Sequence, residues 1–375
     1  MSTVFIKNWG SISPLGRSKQ EVIESYKNPH HFLSQKNDWQ GAVPISTQLL
    51  AEELNLNGAI DAEKLDRSVL LSLLASGSAM KNEIIALSEF GVNIGSSRGA
   101  TELFENSVRA FDAEGKISPL TSPVTTLGNL SSWVAQHIGA KGIRFSQSVT
   151  CSTGLQSVLN GIAYMKSGMT NGFLAGATEA PLTDFTIGQM KALKIYTSGR
   201  ETQFPNQGLN PDKDKNTFVL GEGAASFQLS QKEGDFKIIG WGFGNEQIKN
   251  ATHISLKGEA MQRAMQMALK NAGIKTVDVV VCHAPGTLAG DLAEIGAIDA
   301  VFDKRPALTG NKWKIGHSLA ASGCLSLEMA LLMLEEQSFF SVPFLKENSP
   351  NKLETIMVNA AGFGGNSASL IIQKT

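Results

Sequence analysis

The sequence predicts an α/β protein built from two similar halves. Short apolar segments that end in glycine-rich turns alternate with longer segments of helical periodicity, which is the pattern of an α/β fold. The opening FIKNWGSI has a counterpart, KIIGWGFG, so that a Trp-Gly pair at residues 9–10 matches a second pair at 241–242. We therefore expect an N-terminal half over residues 1–232 and a C-terminal half over residues 233–375.

Four apolar runs are predicted to be buried β-strands. Each has the length of a strand, carries small or β-branched residues, and ends in a turn that contains glycine or proline. The runs are GVNIGSS (91–97), GFLAGATEA (172–180), VDVVVCHAP (277–285) and ETIMVNAAGFGG (354–365).

Four longer segments are predicted to be helices, and several of them are so apolar that we expect them to be buried. They are SVLLSLLASGSAMKNEI (68–84), GLQSVLNGIAYMKSG (154–168), EAMQRAMQMALKNAG (259–273) and CLSLEMALLMLEEQ (324–337). The polar segment TSGRETQFPNQGLNPDKDKN (197–216) is instead predicted to be a long surface loop, and loops of this length often serve function.

Composition favours an enzyme over a nucleic-acid or membrane protein. The chain has 375 residues, of which 42% are hydrophobic, and a formal net charge of −1. This suffices for a large core, and a near-neutral charge is not typical of a nucleic-acid binder. No run approaches the roughly 18 apolar residues of a membrane helix, and the start lacks the features of a signal peptide. We therefore expect a cytoplasmic enzyme without a membrane span.

The cysteines do not form a recognisable metal or disulfide pattern. Cys151, Cys282 and Cys324 are odd in number, widely spaced and without a CxxC pair. This argues against both a disulfide framework and a structural zinc site. We expect no metal, and the chemistry of each thiol has to be considered separately.

Cys151 lies at a predicted turn between an extended segment and a helix. In SVTCSTGLQSV, the small residues 152–154 allow a tight turn before an apolar helix begins. A helix N-terminus presents unpaired N–H groups and the positive end of the helix dipole, and both favour a thiolate. We therefore expect the Cys151 pKa to lie below the ordinary thiol value of about 8.5. The same N–H groups could hold an oxyanion on an acyl group bound to the sulfur.

A buried apolar cysteine is the alternative to a catalytic one, so the decision rests on other residues. Two of the six histidines have a comparable setting. His283 follows the apolar run VDVVVC, and His317 follows a glycine at the head of SLAASGCLSLEMALLML. Each could equally be a structural histidine. The remaining histidines, in polar or helical contexts, are His30, His31, His137 and His253.

Six segments spread over nearly the whole chain together carry a family resemblance. In order, they are SISPLG, SVTCSTGLQSV, DKDKNTFVLGEGAASFQL, HAPGTLAGDLAEIGAI, KWKIGHSLAASG and AAGFGGNSASLII. In this order and spacing, they resemble the motifs of the β-ketoacyl-acyl carrier protein synthases, the condensing enzymes of the thiolase superfamily.

The resemblance implies a thiolase-like five-layer αβαβα fold of two pseudo-repeated halves. It also implies a dimer, either a homodimer or a heterodimer with a related synthase subunit. The implied partners are acyl carrier protein and acyl and malonyl thioesters. No cofactor is expected to be bound, because the phosphopantetheine arm arrives on the carrier protein.

The implied activity is decarboxylative Claisen condensation of an acyl thioester with malonyl-acyl carrier protein, in fatty-acid, polyene or polyketide biosynthesis. By position, Cys151 would accept the acyl chain. His283 and His317 would hold the thioester carbonyl of the malonyl unit while it loses carbon dioxide. Two neutral donors aimed at that oxygen would stabilise the developing enolate more than the ground state.

The resemblance also assigns supporting roles. Lys312 matches the family's lysine and is expected to organise the site through ionic contacts, with Glu294 as its partner. Asp291 and Glu294 match the acidic pair after the first histidine, although their spacing also fits the exposed first turn of a helix. Glu222, between two glycines, is expected to be structural. Lys314 is expected to be a solvated loop lysine.

Two further residues match the substrate channel of the family, and some positions depart from its pattern. Phe363 matches a gate to the acyl pocket, with its backbone N–H as the second oxyanion donor, and Thr287 matches a contact to the phosphopantetheine arm. Compared with the family's residue at this position, Pro285 lacks a hydroxyl and a backbone N–H that could bind the arm. Ala361 and the pair at 366–367 also differ from the usual residues. These departures suggest a specialised synthase.

An acidic carrier protein would require basic docking residues. Lys64 and Arg67 precede an apolar helix, and Arg200 lies in the long polar segment, so all three are candidates. Ordinary solvated charges are the alternative for each.

Several other activities remain to be weighed. A non-decarboxylating thiolase would need a second cysteine in a late Cys-Gly motif, and Cys324 is followed by leucine. A Cys-His-Asn arrangement is disfavoured by His317. A noncatalytic chain-length partner of a heterodimer would typically lack the nucleophile, whereas Cys151 is present. A cysteine hydrolase would leave the second histidine motif unexplained.

Overall fold

The computed structural model describes residues 3–54, 64–81, 89–127, 129–199, 202–247, 255–346, 349–350 and 352–375. Its strands are β1 (Val4–Ile12), β2 (Ser34–Gln35), β3 (Trp39–Gln40), β4 (Phe90–Gly95), β5 (Arg144–Phe145), β6 (Gly172–Glu179), β7 (Gly223–Ser230), β8 (Phe236–Asn245), β9 (Val279–Val281), β10 (Ala307–Thr309), β11 (Thr355–Gly362) and β12 (Asn366–Lys374). Its helices are α1 (Lys19–Lys27), α2 (Thr47–Leu54), α3 (Arg67–Ala79), α4 (Thr101–Glu114), α5 (Thr121–Thr125), α6 (Asn129–Ile138), α7 (Thr153–Lys166), α8 (Asp184–Ala192), α9 (Glu259–Ala272), α10 (Leu288–Val301), α11 (Lys312–Ile315) and α12 (Ala321–Glu336).

The main sheet has the same strand order on both sides of its centre. The ten strands follow the order β10-β9-β11-β12-β8-β1-β7-β6-β4-β5. Counted outward from the middle, one side reads β1-β7-β6-β4-β5 and the other reads β8-β12-β11-β9-β10, so corresponding strands take corresponding places. The two sides join where Val4–Ile6 of β1 pairs antiparallel with residues 236–238 of β8. The predicted boundary between the halves falls in the connection between β7 and β8.

Helices cover and separate the two sides of this sheet. On the N-terminal side, α3 packs on β1 and β7, and on the C-terminal side α9 packs on β8 and β12. Between the sides, α7 packs on β4 and β6, α12 packs on β7 and β11, and the two helices contact each other. The result is the five-layer α/β arrangement that the resemblance implied.

The repeated Trp-Gly pair reflects this correspondence between the halves. A Cβ at Gly10 of β1 would lie 2.4 Å from a carbonyl oxygen of α3, and one at Gly242 of β8 would lie 2.0 Å from a carbonyl oxygen of α9. Only glycine lets each outer helix approach its strand so closely. The neighbouring rings of Trp9 and Trp241 each lie under a lysine ammonium group, at 3.9 and 3.8 Å respectively.

Helices α12 and α3 can be compared with the segments that the sequence predicted to be helical. The central helix α12 is buried from Ala321 to Leu334, as its apolar sequence indicated. Helix α3 ends at Ala79, earlier than the predicted span of 68–84, whose final residues lie outside the described ranges. Of the helices in the described residues, none is both long and apolar enough to cross a membrane.

The expectation for Lys314 was wrong, because this side chain is buried. Its Nζ donates hydrogen bonds to the backbone carbonyls of Ser25 and His30, at 3.0 and 2.8 Å, and to that of Asn28. These carbonyls surround the C-terminal end of α1, where the helix leaves acceptors unpaired. Burial lowers the pKa of Lys314 to about 8. The ammonium group therefore caps a helix instead of facing solvent.

Glu328 is a buried carboxyl group in the middle of the apolar helix α12. One of its oxygens accepts a hydrogen bond from the Ser11 hydroxyl, and the other has no hydrogen-bond partner among the described residues. Burial raises the pKa of Glu328 to about 7. At neutral pH and above, the fold therefore carries the cost of a poorly solvated charge.

We predict that Glu328→Gln stabilises the protein in a pH-dependent way. The pKa of this carboxyl rises from 4.5 to about 7 on folding, so its contribution to stability falls as pH rises through that interval. The variant's gain in unfolding free energy should be larger at pH 8 than at pH 5, by on the order of 2–3 kcal/mol. Urea unfolding at both pH values measures the difference. An equal effect of Glu328→Gln at both pH values would contradict the prediction.

Candidate active site

Cys151 stands at the N-terminus of α7, as its sequence context indicated. Ser152 is the N-cap residue, and Thr153 begins the helix. A Cβ at Gly154 would lie 2.7 Å from both the Ala320 carbonyl oxygen and the Cys324 sulfur. The glycine therefore allows the first turn of α7 to pack directly against the start of α12. This contact brings the thiol close to the segment that carries His317.

The structure brings Cys151, His283 and His317 to one pocket. The pocket has a volume of about 390 Å³, and its wall also includes Thr287 and Phe363. The two imidazole rings lie with their centroids 5.1 Å apart and their planes at 80°. Residues from four distant places in the sequence therefore line the same cavity.

Backbone strain accompanies each of the three reactive side chains. Thr150, directly before the cysteine, has a φ of 50°. Ala284, directly after the first histidine, has a φ of 24°, and Leu319, two residues after the second, has a φ of 42°. Non-glycine residues rarely adopt such angles, and they cluster at functional sites where surrounding structure enforces them.

Both imidazoles are held neutral. Burial lowers the pKa of His283 well below 6.5, and electrostatic interactions with Lys312 and His317 act in the same direction. Burial and then Lys312 lower the pKa of His317 well below 6.5. The Nδ1 atom of His317 accepts a hydrogen bond of 3.0 Å from the Leu319 N–H, which assigns the ring proton to Nε2. The Nδ1 atom of His283 is buried and has no hydrogen-bond partner among the described residues.

The expectation of a lowered Cys151 pKa was wrong. The residue keeps an open face towards the pocket, but protein atoms enclose the rest of it, and this burial raises the pKa of the thiol to about 12. The Glu179 carboxylate raises the pKa further, whereas Lys312 lowers it. In this enclosed position, desolvation of the thiolate outweighs the helix terminus.

Lys312 and Glu294 are buried near each other but do not form the expected ion pair. Burial lowers the pKa of Lys312 to about 8, and the charge on Glu294 partly opposes this. The Glu294 carboxylate instead accepts hydrogen bonds from the N–H groups of His283 and Ala284, at 2.8 and 2.7 Å, and from the Asn359 amide at 3.3 Å. Glu294 therefore fixes the backbone that carries the first histidine.

Asp291 is buried and anchors the long polar segment to the same region. Its carboxylate forms an ion pair of 2.7 Å with Lys213 and accepts hydrogen bonds of 3.0 Å from the N–H groups of Leu209 and Gly286. The alternative of an exposed helical turn is therefore wrong for this residue. No pattern in the sequence indicated Lys213 as its partner.

The long polar segment is less exposed than predicted. Within the described part, Asn206 and Leu209 are buried, and the Asn206 amide donates to the Pro285 carbonyl at 3.1 Å. The Thr217 hydroxyl donates to the Gly286 carbonyl at 2.9 Å. The segment packs against the backbone after His283 because its polar side chains satisfy that backbone.

Glu222 and Arg67 form a buried ion pair, which removes Arg67 from the set of docking candidates. The Glu222 carboxylate accepts hydrogen bonds from Nε and Nη2 of Arg67, at 2.9 and 2.8 Å, and from the Val43 N–H at 2.9 Å. This bidentate geometry is typical of a structural pair. Lys64 is exposed, and Arg200 lies outside the described residues.

Glu179 is a site residue that the sequence did not reveal. Its buried carboxylate, at the end of β6, accepts hydrogen bonds from the Ser96 hydroxyl at 2.7 Å and from the N–H groups of Ser97, Arg98 and Ala320 at 2.8, 3.1 and 3.1 Å. The one available signal was an acidic residue at the end of the apolar run GFLAGATEA. Glu179 ties a wall of the pocket to the start of α12.

The loop that carries Phe363 lies directly against the turn that carries Cys151. The Thr150 hydroxyl donates to the Phe363 carbonyl at 3.0 Å. A Cβ at Gly362 would lie 2.0 Å from the Thr150 hydroxyl and 2.9 Å from the Cys151 nitrogen, so only glycine permits this approach. The following glycines, at 364–365, have φ angles of 86° and 72°. Glycines, which can adopt backbone angles closed to other residues, therefore flank the half-buried Phe363 ring.

Thr287 and two of the departing residues also line the pocket. The Thr287 hydroxyl caps α10 by accepting a hydrogen bond of 3.2 Å from the Gly290 N–H, which leaves its own proton free to be donated. Pro285 and Ala361 are part of the same wall. These two departures from the family pattern therefore lie on the surface of this cavity.

Comparisons with known proteins agree with this geometry. Residues 9–234 match the family described as "Beta-ketoacyl synthase, N-terminal domain", and residues 236–343 match "Beta-ketoacyl synthase, C-terminal domain". The 3-oxoacyl-[acyl-carrier-protein] synthase 2 of Staphylococcus aureus (strain COL) is 27% identical, with 99% of this chain and 98% of that protein covered. The protein of that name from Coxiella burnetii is 26% identical, with 99% and 98% covered.

Solved structures show the same fold. A beta-ketoacyl synthase from Burkholderia phymatum has a TM-score of 0.87 and 22% identity, with 100% of each chain covered. A type II PKS ketosynthase in complex with its acyl-carrier protein has a TM-score of 0.85 and 21% identity, with 100% of this chain and 99% of that chain covered. A ketosynthase in complex with its chain length factor from Xenorhabdus doucetiae has a TM-score of 0.81 and 19% identity, with 100% and 98% covered.

We predict that Lys312→Met slows alkylation of Cys151 by iodoacetamide. The Lys312 charge lowers the pKa of the thiol, and this amine is charged below its own pKa of about 8. The loss in rate should be roughly tenfold at pH 7 and should vanish well above pH 8. Intact-protein mass spectrometry gives the rates. Lys304→Met, at an exposed position, serves as the control, and an unchanged or faster reaction of Lys312→Met at pH 7 would contradict the assignment.

Proposed function

The chain belongs to the β-ketoacyl synthase family, and on that premise we propose that Cys151, His283 and His317 carry out its condensation reaction. It is an acyltransferase, a condensing enzyme that forms β-ketoacyl thioesters. The observation that carries the proposal is the convergence of one sulfur and two neutral imidazoles on a single pocket. A thiol accepts an acyl group, and neutral imidazoles donate hydrogen bonds without titrating.

In the first half-reaction, the Cys151 sulfur attacks the carbonyl carbon of an acyl thioester. Since burial raises the pKa of this thiol, its proton has to leave as the S–C bond forms and passes to the departing carrier sulfur. The backbone N–H groups of Cys151 and Phe363 hold the developing oxyanion, consistent with the close contact of their two loops. The products are an acyl-cysteine and a free carrier thiol.

In the second half-reaction, a malonyl thioester occupies the same pocket. Its carbonyl oxygen accepts hydrogen bonds from His317 Nε2 and from His283, and the bond to the carboxylate breaks with release of carbon dioxide. The electron pair of that bond forms an enolate, which attacks the acyl-cysteine carbonyl. The cysteine sulfur leaves as a thiolate and takes up a proton from solvent, and a β-ketoacyl thioester results. The two donors stabilise charge that exists only during this step.

The substrate-bearing arm is proposed to enter beside the backbone that follows His283. A phosphopantetheine arm offers amide and hydroxyl groups, and Thr287 presents a hydroxyl on the pocket wall. Pro285 has no backbone N–H, so this chain has one fewer hydrogen-bond donor in that segment than the family motif. The arm belongs to the carrier protein, and we propose that the chain itself holds no cofactor or metal.

We propose acyl carrier protein as the partner that delivers both thioesters, with Lys64 as an exposed candidate contact. The relatives named above include a ketosynthase in complex with its acyl-carrier protein, which supports this partner. The composition leads us to place the reaction in the cytoplasm.

An exposed apolar surface supports a dimer. Phe104, Val108 and Phe111 on α4 are 56%, 43% and 52% exposed, and Phe185 on α8 is 60% exposed. Large apolar side chains grouped on one face typically meet a partner. Among the described residues, the short strand β5 forms one edge of the main sheet. We propose that a second copy covers this surface, or else a related synthase subunit.

A noncatalytic chain-length partner is the alternative within the same family. A ketosynthase in complex with its chain length factor is among the similar structures, so the fold alone does not decide. The complete set of Cys151, His283 and His317 in one pocket favours the catalytic subunit. A thiolase is disfavoured, because Cys324 is buried within α12 against Gly154.

We predict that the purified protein releases carbon dioxide from malonyl-acyl carrier protein and condenses it with an acyl donor. Cys151→Gln should lose condensation by at least about a thousandfold, because no acyl-enzyme can form, while decarboxylation persists. Radiolabelled carbon dioxide and the β-ketoacyl product are measured separately.

The histidines provide the complementary variants. His317→Ala should lose decarboxylation by roughly a hundredfold or more while Cys151 still becomes acylated. Absence of carbon dioxide release by the wild-type protein, with plausible acyl donors present, would overturn the proposed activity. An active condensation reaction in Cys151→Gln would overturn the assignment of the nucleophile.

A further inference from the structure

We propose that Glu179 is a positioning residue for the decarboxylation step, because it holds the turn that orients the His317 imidazole towards the malonyl carbonyl. This inference rests on the proposed function and assigns a role to a side chain outside the pocket. Glu179 is completely buried, so it acts through the backbone that it binds and not by touching the substrate.

The orientation of the His317 ring depends on the residues that follow it. The backbone of His317 is fixed by a neighbouring segment, because its N–H donates to the Val219 carbonyl at 2.7 Å and its carbonyl accepts from the Gly221 N–H at 3.0 Å. The ring is fixed separately, by the hydrogen bond of 3.0 Å from the Leu319 N–H to Nδ1. A shift of the Leu319 peptide therefore turns the Nε2–H donor away from the substrate oxygen.

The Leu319 peptide does not hold this position by local preference. With a φ of 42°, Leu319 lies in the left-handed region, which is unfavourable for leucine and persists only where surrounding contacts enforce it. The next N–H, of Ala320, donates to the Glu179 carboxylate at 3.1 Å. Ala320 is the N-cap residue of α12, where N–H groups lack acceptors within the helix and the helix dipole favours an anion. The carboxylate therefore offsets the strain of the turn.

Glu179 is itself held by the other half of the protein. It is the last residue of β6, which pairs with β4 on one side and with β7 on the other. Besides the Ala320 N–H, its oxygens accept hydrogen bonds from the backbone and a serine hydroxyl of residues 96–98, at 2.7 to 3.1 Å. The turn after His317 is therefore anchored to the sheet of the N-terminal half.

The turn that carries Cys151 is held by different contacts. The Val149 N–H donates to the Thr153 hydroxyl oxygen at 2.7 Å, and that hydroxyl donates to the Thr150 carbonyl at 2.6 Å. These bonds do not involve Glu179. Loss of the Glu179 anchor should therefore leave the nucleophile in place.

The charge on Glu179 also lowers the reactivity of Cys151. Burial raises the pKa of the thiol, the Glu179 carboxylate raises it further, and Lys312 lowers it. A neutral side chain at position 179 should therefore make the thiol more reactive at neutral pH, while it weakens the anchor of the His317 donor. The two half-reactions should respond in opposite directions.

Glu179→Gln keeps the size of the side chain but cannot replace the carboxylate. One oxygen of Glu179 accepts from the Ser96 hydroxyl and the Arg98 N–H. The other accepts from the N–H groups of Ser97 and Ala320. An amide has a single oxygen, so in either orientation its NH2 group faces at least one backbone N–H, and its uncharged oxygen is a weaker acceptor. Glu179→Ala removes the anchor altogether.

The test measures the two half-reactions separately. In a Cys151→Gln background, carbon dioxide release from malonyl-acyl carrier protein reports on the histidine donors without the nucleophile. There, kcat should fall at least about tenfold with Glu179→Gln and further with Glu179→Ala, while KM stays within about twofold because Glu179 does not touch the substrate. With Cys151 present, alkylation by iodoacetamide at pH 7 should be about threefold faster in Glu179→Gln than in the wild-type protein.

Two controls separate this effect from a loss of folding. Asp278 is another carboxylate that binds backbone, accepting from the N–H groups of Glu354 and Thr355 at 2.8 Å, but it precedes β9 at the end of that strand away from the pocket. Asp278→Asn should leave both rates at their wild-type values. Intact-protein mass spectrometry also counts the added alkyl groups. Because Cys282 and Cys324 are fully buried, a single addition shows that the folded protein reacted.

The outcomes distinguish this inference from the proposed function. If the wild-type protein and Cys151→Gln release carbon dioxide and kcat is unchanged in both Glu179 variants, the inference fails while the proposed function stands. It also fails if KM rises at unchanged kcat, or if alkylation of folded Glu179→Gln slows together with decarboxylation. If neither the wild-type protein nor Cys151→Gln releases carbon dioxide, both fail.

Discussion

The carboxylate of Glu179 joins the two halves of the protein at the active site. On the N-terminal side, it accepts hydrogen bonds from the backbone that forms one wall of the pocket, and on the C-terminal side, from the Ala320 N–H at the start of α12. His317 lies three residues before that contact, and Cys151 lies near enough for the carboxylate to raise its pKa. The proposed nucleophile, from one half, and the proposed donors, from the other, are therefore linked through one buried carboxylate that accepts four hydrogen bonds. Such an anion is tolerated because backbone N–H groups replace the water it loses.

Burial sets the chemistry of the pocket. It lowers the pKa of both histidines and of Lys312 and raises that of Cys151, so the site contains neutral donors and an undissociated thiol. In these surroundings, hydrogen bonds to a developing oxyanion are stronger than in water, while a preformed thiolate is disfavoured. The strained angles at Thr150, Ala284 and Leu319 are consistent with a site whose geometry is imposed by the packing around it.

Two further buried carboxylates hold the backbone around the site. Asp291 holds Lys213, and Glu294 holds the backbone after the first histidine. Acidic residues that resembled catalytic partners in the sequence therefore act on the backbone.

The sequence by itself determined the features that arise from local patterns. The alternation of apolar runs and helical segments predicted the α/β fold, the repeated Trp-Gly pair predicted two equivalent strands, and the small residues around Cys151 predicted its place at a helix terminus. These inferences were reliable because periodicity and turn chemistry act over a few neighbouring residues. The order of motifs added the three residues that meet in the pocket.

Only the tertiary structure decided how those residues are surrounded. It showed that the Cys151 pKa is raised, that Lys314 is buried at the end of α1, and that Arg67 pairs with Glu222. Burial and electrostatic interactions sum over atoms that are close in space but distant in the chain, and no local pattern records that sum.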